Sequence, residues 1–105
     1  QSPPFDDHWT CSLLASQDPV AIDSVGLDFL RAEYADHPHG PRAEDYLHEA
    51  ALADQPPSRT CYDPNRRDPP QPLASLGVHE HWNDPRQKQY SRNLGSGPGI
   101  ELVRV

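Results

Sequence analysis

Apolar residues recur at helical spacing in one long stretch of the chain, Gln17 to Leu30. Ile22, Val25, Gly26 and Phe29 fall on one face, Leu30 lies beside them, and Asp23 and Asp28 fall off the stripe. Asp18 suits the cap position, because its carboxylate can take first-turn amide protons. Pro19 suits the first helical position, where an amide proton would have no partner anyway. The pattern predicts a helix from Pro19 to Tyr34, stopped before His37-Pro38 and Gly40. Gly26 lowers helix propensity, so close packing against another element is expected there.

A second helix is expected over Ala43 to Ala53, with Tyr46, Leu47, Ala50 and Ala51 inward and Glu44, Asp45 and Glu49 off that face. Gln55-Pro56-Pro57-Ser58 stops it. The remaining segments are shorter. Gln1 to His8 reads as an extended lead-in, Trp9 to Ala15 as a short strand, and His37 to Pro41 as a turn. Residues 59–72 have loop composition. A strand is expected through Leu76 to Trp82, followed by a turn at Asn83-Asp84-Pro85 and one or two helical turns or a loop over Arg86 to Asn93. Gly95 to Gly99 is a turning loop before a terminal strand, Ile100 to Val105. The expected architecture is therefore α+β (or small α/β), two helices packed on a few short strands, loop-rich and in a single domain.

Composition narrows the class. The 105 residues are 34% hydrophobic and include 13 prolines. A domain this small buries a modest share of its surface, so a staple, a partner copy in a homo-oligomer or the rest of a longer parent chain would help it. The net charge of -7 argues against nucleic acid or an anionic membrane as partner. No apolar run approaches spanning length and no signal peptide is present. A start at Gln1-Ser2-Pro3-Pro4 reads as processed, truncated or excised from a longer chain. Cys11 and Cys61 match no local zinc or redox spacing, which leaves a disulfide and two free thiols both open.

Five blocks taken in order add a resemblance. They are ASQDPVAID (15–23), DYLHEAA (45–51), LGVHEHWN (76–83), KQYSRNLG (88–95) and GIELV (99–103). Together the chain from Trp9 onward resembles the C-terminal part of bacterial proteins carrying the "domain of unknown function 362". The resemblance implies an exported protein, secreted or periplasmic, of which this chain is the tail. It carries no assigned reaction. Two departures matter. Cysteines at positions 11 and 61 are not the family's habit, which favours their pairing in an exported chain. After Tyr62-Asp63-Pro64 the family often has an acidic, glycine-containing loop able to hold calcium. Here Arg66 and Arg67 sit among Asp63, Asn65 and Asp68, so calcium is not expected.

Candidate chemistry centres on His79-Glu80-His81. In an extended segment His79 and His81 share one side and Glu80 takes the other. Two imidazoles so placed are metal ligands for a divalent transition ion, given a third from His8, His48, Asp23 or Glu101. The histidines around Pro38, His37 and His39, read as solvated. Glu80 and Asp23 are the acid–base candidates, and Trp82, Tyr90, Arg92 and Asn93 the substrate-contact candidates. Ser91 lacks a nucleophile elbow, and the Gly95 to Gly99 loop has no phosphate-binding fingerprint. The expected function is an extracellular, metal-assisted enzyme, a hydrolase. The alternative is a non-catalytic binding or structural module.

Overall fold

A computed structural model describes residues 13–33 and 40–105. The lead-in, most of the Trp9 to Ala15 segment, His8, His37, His39 and Cys11 lie outside the described residues. So does the Cys11 half of the expected disulfide; Cys61 itself is an exposed free thiol.

Among the described residues there are three helices: α1 (Pro19–Glu33), α2 (Gly40–Ala51) and α3 (Ser91–Leu94). Asp18 caps α1 as the sequence suggests, its Oδ1 accepting the amides of Val20 at 2.9 Å and Ala21 at 2.8 Å. α2 starts three residues before its expected start, taking in Gly40 and Pro41. Proline's missing amide proton costs nothing in a first turn.

The expected α+β architecture is not found. Among the described residues there is no strand, and the fold is helical with long irregular connections. The reason is where the backbone donors of Leu76 to Trp82 go. Leu76 N–H donates to the carbonyl of Ala50, Val78 N–H to Asp18 Oδ2, and Trp82 N–H to Asp28 Oδ2. The segment is extended, but helices α1 and α2 satisfy it instead of a neighbouring strand. Ile100 to Leu102 is treated likewise: Arg92 N–H donates to the Ile100 carbonyl, and the Asn93 amide clamps both backbone groups of Leu102. Apolar alternation therefore marked extended chain, while the absence of a pairing edge prevented a sheet.

α1 is the axis of the molecule, and its buried face differs from the expected one. Val20 and Leu27 pack with Leu47 of α2, flanked by Ala43, Ala50 and Ala51. Val25 packs with Tyr90 and Ile100, flanked by Ala21, Phe29, Trp82 and Leu102. At 3.6 residues per turn, Ser24 and Asp28 fall on the strip between these two clusters. Both are buried. Ile22 is only half-buried, Leu30 is exposed, and Tyr46 of α2 points to solvent. Gly26 marks no close packing either, since a Cβ there would meet nothing within 4 Å.

Glycine is required elsewhere. Gly77 has φ 156° and lies against Asp18, where a side chain would overlap the carboxylate that caps α1 and holds Val78. At Gly99 a Cβ would overlap the Glu80 carboxylate and the Ser91 hydroxyl.

Candidate metal centre

The buried polar strip of α1 faces the extended segment. Asp28, 5% exposed, gathers three donors there: Tyr90 Oη at 2.7 Å, the Trp82 amide at 3.0 Å and His81 Nδ1 at 2.6 Å. Burial first, then this bond to Asp28, pushes the Tyr90 phenol up, so it remains a donor.

Ser24 does the corresponding job for His79. Its hydroxyl donates to the Val20 carbonyl at 2.9 Å, so toward His79 Nδ1, at 2.7 Å, it acts as acceptor. That assignment places the imidazole proton on Nδ1 and a lone pair on Nε2. Burial, together with the nearby charges of His48 and His81, holds the His79 pKa down and the ring neutral. The His79 side chain is 3% exposed, and its Nε2 is buried without a hydrogen-bond partner. A buried polar atom in that state is rare and calls for a partner, an ion or a bound water.

Nε2 looks toward Glu44 of α2. Glu44 Oε1 lies 2.6 Å from His81 Nε2, 3.6 Å from His48 Nε2 and 3.9 Å from His79 Nε2. Its other oxygen, Oε2, accepts from Arg31 at 2.9 Å. The hydrogen bond from His81 leads, and the Arg31 guanidinium adds to it, so the Glu44 pKa falls to about 2 despite partial burial. Burial opposes charge on His81, but its hydrogen bonds to Asp28 and Glu44 outweigh that and hold its pKa above the ordinary value.

Glu44, His79 and His81 thus offer one ligand atom each, all within 4.8 Å of one another. The hydrogen-bond partners behind them are already fixed: Ser24 and Asp28 accept from His79 and His81, and Arg31 donates to Glu44. Metal sites are built in this way, with the far side of each ligand held by a hydrogen bond that sets its tautomer and direction. Two imidazoles and one carboxylate suit zinc, copper, nickel, cobalt or iron rather than calcium or magnesium.

The other sequence-derived candidates are placed differently. The structure does bring His79 and His81 together, with ring centroids 4.9 Å apart. Glu80, between them, turns to the opposite side, where its carboxylate accepts from the Ser91 amide at 2.6 Å and the Ser91 hydroxyl at 2.7 Å. Asp23 is exposed on α1, away from the strip. Tyr90 is 1% exposed and committed to Asp28. Asn93 bonds Tyr90 N–H and both backbone groups of Leu102. Trp82 packs edge-on to Phe29 at 5.0 Å, with the Lys88 ammonium 5.5 Å above its ring. Arg92 pairs at the surface with Glu101, at 3.6 Å. Of the proposed third ligands, Glu101 is therefore engaged elsewhere, Asp23 is remote, and His48 lies beside the site.

Sequence reasoning missed Glu44, Asp28 and Ser24. A signal for each was present: Ser24 and Asp28 are one turn apart, as are Glu44 and His48. In the loop after Tyr62, Asp63 has both oxygens engaged by Asn65, Arg67 and Gln71, with the Arg67 guanidinium in the position a cation would take. No family model matches the chain, nor does any curated protein or solved structure.

Proposed function

We propose that this domain is a non-catalytic metal-binding module, in which a divalent transition ion joins α2 to the extended segment through Glu44, His79 and His81. The observation that carries this reading is His79 Nε2: buried, neutral, without a partner, and aimed at two further ligand atoms. The ion would supply that missing partner and tie two elements that pack in different apolar clusters against α1. In a chain this loop-rich, metal binding is folding energy. The family resemblance supports placing the module in an exported protein, secreted or periplasmic. There its partner is the rest of a longer chain or another copy of itself.

The hydrolase reading has one observation in its favour. Glu44 and His81 are 26% and 38% exposed, so the three-ligand centre opens to solvent on one side. Hydrolytic metal sites keep such a position for water or substrate. Against it, Glu80 and Asp23 do not reach the centre, and Tyr90 and Asn93 are engaged in the fold.

Elemental analysis of the purified protein tests the proposal. One equivalent of zinc, copper, nickel, cobalt or iron per chain is expected, and it should be lost in both His79→Ala and His81→Ala. Metal-free wild type that cannot be loaded with any of these ions would overturn it.

A further inference from the structure

We infer that His48 is a fourth ligand of this centre, closing the position that a catalytic water would need. The inference rests on the metal-binding reading above and adds to it the coordination number and hence the class of the site.

Three imidazole Nε2 atoms converge on one oxygen, Glu44 Oε1: His81 at 2.6 Å, His48 at 3.6 Å and His79 at 3.9 Å. A tetrahedral centre with bonds of about 2.0–2.1 Å spaces its ligand atoms about 3.4 Å apart, so the last two separations already approach coordinated ones. The His81 contact is a hydrogen bond, which opens when the ion replaces its proton. His48 stands edge-to-face against His79, with ring centroids 4.6 Å apart, and lies outside the 4.8 Å group of Glu44, His79 and His81, so a side-chain rotation brings it onto the ion.

The helix fixes this placement. Glu44 and His48 are one turn apart on α2 and project from the same face. The pair therefore arrives together when α2 docks on Val20 and Leu27 of α1. His79 and His81 supply the matching pair from the extended segment, one on either side of Glu80. Each pair alone is a weak chelate. Facing each other they make three imidazoles and one carboxylate, the donor number of a closed zinc site.

His48 also differs from the other ligands. Its side chain is 48% exposed, and its outer ring edge is left to water, which can serve as the hydrogen-bond partner that metal-bound imidazoles require. The three inner ligands select and position the ion, and His48 covers it from the solvent side. The site so completed is a structural clip.

Cobalt loading separates the alternatives, because affinity and the position of the visible bands report whether the fourth donor is an imidazole or a water. Cobalt-loaded wild type should show the strong absorption of a four-coordinate ion. His48→Ala should still bind one equivalent, but with shifted bands, because a water takes the place of the imidazole. Its affinity should be at least about 100-fold lower, the upper end of what losing an outer hydrogen-bond partner costs. His48→Gln should behave as His48→Ala, and the helical circular dichroism of both should match wild type when loaded. If His48→Ala binds cobalt with unchanged affinity and unchanged spectrum, His48 is not a ligand, while the three-ligand reading survives. If wild type binds no cobalt, the three-ligand reading itself fails and this inference with it.

Discussion

Two buried aspartates organise this molecule in opposite ways. Asp28 is reached by His81, Trp82 and Tyr90, which are 53, 54 and 62 residues away in sequence. Asp63 is reached by Asn65, Arg67 and Gln71, all within eight residues. Both carboxylates are saturated with donors. One holds the tertiary structure and aims the His81 ring, whereas the other ties a single loop. Burial and hydrogen-bond count alone do not separate them; the sequence distance of the donors does.

The largest effect falls on Asp28. Asp28→Ala should cost about 3–5 kcal/mol in denaturant unfolding, because it strands a buried tyrosine hydroxyl, a backbone amide and an imidazole at once. A loss below about 1 kcal/mol, the range of a single surface hydrogen bond, would mean the strip is not the keystone.

Asp18 is intermediate, with local duty at the α1 cap and a distant one at Val78, 60 residues on. Asp18→Ala should cost about 1–2 kcal/mol, the cap contributing the larger part. Proteolysis should show the extended segment loosened along with the start of α1. Loosening at α1 alone would assign Asp18 to the local class.

Asp63 should act only on its loop. Its side chain bonds first to Arg67 and then to the Gln71 amide, and these hold its pKa well below the ordinary value of 3.8. A lowered folded-state pKa stabilises above the unfolded value, and the contribution disappears as pH falls through and below it. Amide chemical shifts of Asn65, Arg67 and Gln71 should therefore stay constant above pH 3.8 and move only below it. In Asp63→Asn they should be displaced at every pH, with the signals of α1 and α2 unchanged. Movement of the helices would show that the loop is not autonomous. The smallest effect belongs to Asp23→Ala, exposed and remote from the strip, which should change stability by less than about 0.5 kcal/mol.

The same distinction explains what the sequence made legible. Local chemistry was readable: the Asp18-Pro19 helix start, the turns at Asn83-Asp84-Pro85 and Gly95 to Gly99, the crowding of arginines around Asp63, and the shared side of His79 and His81. Long-range chemistry was not. The composition of Leu76 to Trp82 fits a strand, but does not say whether its donors meet another strand or a carboxylate on a helix. The helical periodicity sets Asp28 off the apolar stripe, on the polar side of α1. It is buried because three distant donors meet it there. Glu44 was likewise set aside as an outward acidic residue, although its spacing to His48 puts both on the face that meets His79.

Zinc titration of metal-stripped protein, followed by thermal unfolding, tests the metal centre most directly. Wild type should take up one equivalent, and its unfolding midpoint should rise with zinc concentration, by about 2.7 kcal/mol of stability at a hundredfold excess over the dissociation constant. His79→Ala should show neither effect. A wild-type midpoint that does not move with zinc or with any of the other candidate ions would contradict the account.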